Sequence, residues 1–230
     1  MSTYVMSDLH GRRDLFLKML RRIDFKESDT LYILGDFADR GNEGLKIILD
    51  VIDSENIIPI MGNHDLTALY ILTRLKRRLK PGEMEDMAGL ISAWLADGGR
   101  ETLDEFRALS ELDQCIVLTA MDGFRNYAEV KVGCREFVLC HAGLGGFRPE
   151  RPLDDYSTSE LVFTRTDYSR PIFNGERYLV TGHTPTAAIE GAEEGRIYRA
   201  NNHFAIDCGA VFGYGLGCLC LDTLEEFYVK

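Results

Sequence analysis

The sequence predicts an α/β protein in which two mixed sheets pack face to face, with helices outside and a helical insertion between the halves. Three observations predict it. Strand-length apolar runs alternate with amphipathic stretches up to Asn63; the chain turns helical from about Leu66 to Leu118; the remainder is rich in short strands punctuated by glycine. At 230 residues, 45% hydrophobic and 27% charged, the chain is read as one domain, 1–230.

The elements follow in order. "TYVMSD" reads as a strand, and "RRDLFLKMLRRIDF" as a helix whose Leu15, Met19, Leu20 and Ile23 recur near helical spacing. "DTLYILGD" is a second strand, "EGLKIILDVIDSE" a helix and "NIIPIMGN" a third strand. This β-α-β-α-β order predicts neighbouring parallel strands with right-handed crossovers. "LTALYILTRLKRRL", "MAGLISAWLADGG" and "ETLDEFRALSEL" form the helical insertion. "NYAEVKVGCREFVLCHAGL" reads as two strands about a turn at Gly133, "RYLVTGHTP" as a strand ending in a glycine turn, and the last 35 residues, 196–230, as several short strands.

Charge and cysteine content narrow the function. A net charge of −11 argues against a nucleic-acid partner, although a few arginines or cations in a cleft still suit a small anionic substrate. No apolar run approaches the ~20 residues that span a bilayer, and the start lacks a signal-peptide pattern, so a cytoplasmic protein without a membrane partner is expected. Six cysteines without a C-x-x-C pair read as reduced, mostly buried thiols. The basic run Arg74, Lys76, Arg77, Arg78, Lys80 reads as a solvated helix face, and no feature specifies an oligomeric state.

The strand ends carry the chemistry. Asp8 and His10 stand one residue apart after the first strand, and strand alternation would turn both to one side. "GDFADRG" presents Asp36, Asp39 and Arg40; "GNHD" presents Asn63, His64 and Asp65; "CHAG" and "GHTP" present His141 and His183. Ligands of open α/β sheets bind outside the carboxyl ends of the strands, so these loops should gather at one rim. Four of the five histidines fall in them, and His203 is read as structural. Carboxylates, an amide and imidazoles without a thiolate suit manganese, iron or zinc.

"DLHG", "GDFADRG", "GNHD", "HAG" and "GHTP", in that order, resemble the successive motifs of the calcineurin-like metallophosphoesterases, specifically the phosphoprotein phosphatase family with its small bacterial and phage members. "WLADGGRETL" resembles a segment of bacterial serine/threonine phosphatases and diadenosine tetraphosphate hydrolases. The resemblance implies a metallophosphoesterase-type β-sandwich flanked by helices. It implies two divalent metal ions, manganese first and iron or zinc as alternatives, the first held by Asp8, His10 and Asp36 and the second by Asp36, Asn63, His141 and His183. It further implies His64 as catalytic acid oriented by Asp39, with Arg40 and, in a looser match, Arg165 on the substrate phosphate.

The expected reaction is hydrolysis of phosphate monoesters by direct attack of a metal-bridging hydroxide. A phosphoserine or phosphothreonine protein is the first-choice substrate, diadenosine tetraphosphate the alternative, and a non-catalytic phosphopeptide-binding scaffold a remote third. Asp65 replaces the glutamate of the eukaryotic-type motif and is given no catalytic role.

Overall fold

Residues 1–77 and 80–230 are described by a computed structural model, with the side chains of residues 81, 83 and 84 outside the description. β1 (Thr3–Met6), β2 (Thr30–Ile33) and β3 (Ile57–Pro59) pair in parallel, in register Val5 to Tyr32 and Tyr32 to Ile58. The crossovers are α1 (Arg13–Arg22) and α2 (Gly44–Ile52). The last two strands, β9 (Leu216–Cys220) and β10 (Glu226–Val229), return antiparallel to complete a sheet of order β10-β9-β1-β2-β3. The second sheet takes β4 (Tyr127–Val132), β5 (Arg135–Cys140), β6 (Arg177–Thr181), β7 (Tyr198–Ala200) and β8 (His203–Ala205) in the order β4-β5-β6-β8-β7.

Alternation along each strand sorts side chains into layers. Val5, Leu34, Phe137, Leu139, Val180 and Leu219 fill the space between the sheets, while Tyr4, Met6, Leu31 and Ile33 face the helices. Cys218 and Cys220 share the helix-facing side of β9, as their spacing predicts. Of the six cysteines, all free thiols, Cys115 and Cys134 are exposed and the other four are buried.

The helical region is wider than Leu66 to Leu118. It comprises α3 (Asn63–Lys76), α4 (Pro81–Trp94), a kink (Leu95–Gly99) where Asp97 and Gly98 leave helical geometry, α5 (Arg100–Ala108) and α6 (Glu111–Asp122). α3 starts early because Asp65, its third residue, accepts from Gly62 N at 3.1 Å and closes the first turn. In the basic run, Arg74 lies over the Tyr70 ring, 3.3 Å from its centroid, and Lys76 donates to Gln114. Two of its cations are thus spent on neighbouring side chains, and Arg78 lies outside the described residues. Among the described residues no helix is long and apolar enough to cross a membrane.

Candidate metal centre

The rim forms as the motif order predicts, but the local geometry differs from strand alternation. β1 ends at Met6, so Asp8 and His10 lie beyond it, where Asp8 N, His10 N and Gly11 N donate to the carbonyls of Gly35, Asp36 and Phe37 at 3.0, 2.8 and 2.9 Å. The two side chains reach one cleft because their backbones turn left-handed. Ten non-glycine residues among those described have positive φ, and six are site candidates: Asp8, His10, Asp36, Asp39, Arg40 and His183. Such backbone costs about 1–3 kcal/mol per residue and persists where surrounding structure imposes it. Glycine permits the close packing: a Cβ on Gly182 would stand 2.1 Å from Asp8 Oδ2, and one on Gly62 2.2 Å from Asp36 Oδ1.

Asp36 is central. Its Oδ2 lies 3.6 Å from His10 Nε2 and 3.5 Å from His141 Nε2. One donor atom each from His10, Asp36 and His64, and from Asp36, His141 and His183, falls within 4.8 Å of the others in its group. Asn63 Oδ1 lies 2.9 Å from His141 Nε2 and 2.8 Å from His183 Nδ1. Asp8 sits behind, its carboxylate accepting from His183 N at 3.0 Å.

The electrostatics fit a cation. Burial, then His64, pushes His10 well below the ordinary imidazole range; burial, then His183, does the same to His141; burial brings His183 down to about 4. These rings are therefore neutral. His10 Nδ1 donates to Ala38 O and His141 Nδ1 to Leu34 O, at 2.9 and 2.6 Å, which leaves each Nε2 as a lone pair facing Asp36. Burial likewise pushes Asp8 and Asp36 well up, helped by Asp207 at the first and Asp65 at the second. Crowded buried carboxylates beside unprotonated nitrogens are the donor set that divalent cations relieve. Arg40 Nη1 donates to His10 Nε2 at 2.8 Å, so a metal ion using that nitrogen must displace the guanidinium.

His64 stands apart in its partners. Its Nδ1 meets Asp39 Oδ2 at 2.8 Å, leaving Nε2 toward the cleft, where Asp97 Oδ2 is 3.8 Å away. Asp97 Oδ1 also accepts from Arg40 Nη2 at 3.1 Å. Arg165 lies at the margin, with Nη1 donating to Thr184 Oγ1 at 3.1 Å and the His183 carbonyl at 3.5 Å.

The helical region supplies residues that motif reading missed. Trp94 Nε1 donates to Asp39 Oδ2 and Thr102 Oγ1 to Asp39 Oδ1, at 2.9 and 2.7 Å. The visible signal was the "WLADGGRETL" segment, which holds all three of Trp94, Asp97 and Thr102. Asp65 is structural: its carboxylate accepts from the amides of Asp36, Phe37, Ala38 and Gly62 and fixes the loop that carries Asp36. His203 is also structural, buried with Nε2 2.8 Å from Thr181 Oγ1 and its ring stacked on Tyr168.

Residues 1–207 match the family model for calcineurin-like phosphoesterases. A symmetrical bis(5'-nucleosyl)-tetraphosphatase of Aliivibrio fischeri is 36% identical over an alignment covering 100% of this chain and 98% of that protein. The same-named protein of Delftia acidovorans is 38% identical, but over only 34% of this chain and 28% of its own length. A solved structure provisionally assigned as a diadenosine tetraphosphatase superposes with a TM-score of 0.68 at 17% identity, covering 99% of this chain and 92% of that one, which shows a shared fold. A yeast protein serine/threonine phosphatase has the same fold at a TM-score of 0.57 and 13% identity, over 90% of this chain and 67% of that one. The chain belongs to the calcineurin-like phosphoesterase family.

Proposed function

We propose that this protein is a binuclear metal-dependent hydrolase that splits a dinucleoside tetraphosphate symmetrically, releasing two nucleoside diphosphates. The full-length similarity to the Aliivibrio fischeri protein supports this substrate and moves the reading away from the phosphoprotein that the motifs placed first. The observation that carries the chemistry is Asp36 Oδ2 lying between two unprotonated imidazole nitrogens, with His183 and Asn63 completing the second group.

Divalent cations bound there would supply a water of lowered pKa as nucleophile and neutralise the phosphoryl oxygens. His10 and Asp8 would hold one cation, Asn63, His141 and His183 the other, and Asp36 would serve both. Arg40, once released from His10, offers a fork of donors to the phosphate, and Arg165 offers a second from the far margin. His64, held through Nδ1 by Asp39, presents Nε2–H to the departing oxygen.

The test is a turnover comparison on metal-reconstituted protein of diadenosine tetraphosphate, a phosphoserine peptide and p-nitrophenyl phosphate. Diadenosine tetraphosphate should give the highest kcat/KM, with ADP as product. Preference for the peptide would restore the phosphoprotein reading; ATP and AMP as products would contradict symmetrical cleavage.

A further inference from the structure

A dinucleoside substrate needs a place for at least one base. Two cavities of about 460 Å³ are available, within the range of small-molecule sites. One lies between α3 and α6 and is lined by Leu66, Leu69 and Tyr70, with no candidate site residue. The other is lined by Arg165, by Thr184, which directly follows His183, and by Tyr198 on the edge strand β7.

We infer that this second cavity is a nucleoside subsite, with Arg165 at its mouth to meet the phosphate chain; the inference rests on the dinucleoside reading above. Its lining suits a flat base carrying polar edges. Tyr168 and Ile189 give apolar wall, and the Tyr168 ring is already fixed, stacked on His203 at 4.9 Å and 21° and edge-on to Tyr198 at 6.1 Å and 88°. A wall held this way loses little freedom when a ligand arrives. Glu190 places an acceptor at the rim for an exocyclic amine or ribose hydroxyls, and the Thr184 hydroxyl adds a second polar contact. Arg165 is tied to the hydroxyl of Thr184 and the carbonyl of His183, so its guanidinium is held between the metal-side loop and the cavity. Cation, aromatic wall and acceptor thus line one cavity beside the loop that carries His183.

The probe is adenosine, which has no phosphate to bind metal, used on the metal-loaded enzyme. It should inhibit diadenosine tetraphosphate hydrolysis competitively and leave p-nitrophenyl phosphate hydrolysis untouched. Ala188 is exposed at this cavity, and Ala188→Trp fills the space from its rim. With the fold verified by circular dichroism, the variant should raise KM for diadenosine tetraphosphate about tenfold or more, a loss of about 1.4 kcal/mol, with kcat little changed and adenosine inhibition lost. An Ala188→Trp enzyme that keeps both KM and adenosine inhibition overturns the subsite. If the wild type fails to hydrolyse diadenosine tetraphosphate, the functional reading falls separately. Equilibrium dialysis of adenosine then decides: binding weakened by Ala188→Trp supports the subsite, and no wild-type binding overturns it.

Discussion

The Trp94 indole donates to the same Asp39 oxygen that meets His64 Nδ1, at 2.9 and 2.8 Å respectively. Thr102 satisfies the other oxygen, and Asp39 is fully buried. Helix α4 and helix α5 thus fix the carboxylate that aims His64. Trp94→Phe keeps the packing and removes the donor, a change worth about 1–3 kcal/mol when a charged buried acceptor is involved. Turnover should fall about tenfold or more at unchanged metal content. A Trp94→Phe enzyme with wild-type kcat would show that Asp39 needs no such support.

If His64 donates the proton, its value depends on the leaving group. General acids contribute about 10²–10⁴-fold where the departing oxygen is basic. Across aryl phosphates of rising leaving-group pKa, His64→Asn should show a steeper decline than wild type, and Asp39→Asn a milder version of it. His64 also falls within reach of His10 and Asp36, so metal analysis is part of the measurement. Loss of a metal ion in His64→Asn, or parallel declines for variant and wild type with chemistry rate-limiting, would count against the acid role.

Asp65 serves four buried amides at once. Asp65→Ala leaves them without an acceptor, and should cost about 3–5 kcal/mol in urea unfolding. Asp65→Asn, which retains one carbonyl oxygen, should cost less. A loss below about 1 kcal/mol for the alanine variant would contradict this role.

His203 sets a pH dependence that can be isolated. Burial lowers it to about 3, whereas the unfolded chain has an ordinary imidazole near 6.5. Between those values the unfolded state holds a proton that the folded state lacks. Stability therefore falls as pH falls below about 6.5, by up to about 1.4 kcal/mol per pH unit. His203→Gln removes this component, so the stability difference between wild type and variant should shift by about 2 kcal/mol between pH 6.5 and 5. A difference independent of pH would mean that His203 takes up its proton as readily in the folded protein as in the unfolded chain.

Much of this architecture is legible in short local patterns. The parallel order of β1, β2 and β3 follows from their helical crossovers, and each D, H or N motif ends where a strand delivers its chain to the rim. Four details were not legible. Asp8 and His10 converge through left-handed backbone rather than through alternation, which needs the neighbouring loop at Gly35 to Phe37 to hold them. Asn63 and His64 open α3 instead of closing β3, because Asp65 ties the helix start to the Asp36 loop. Trp94 and Thr102 lie 55 and 63 residues from Asp39, a separation that no spacing rule bridges. The return of β9 and β10 to the first sheet is likewise a long-range pairing, with Val5 opposite Leu219.

Asp36 is the proposed ligand common to two cations. Elemental analysis of the metal-reconstituted wild type and Asp36→Asn, with circular dichroism to verify the fold, tests this directly. Two ions per wild-type chain and no more than one in the variant, with activity lost, are expected. Two ions and full activity in a folded Asp36→Asn protein would contradict it.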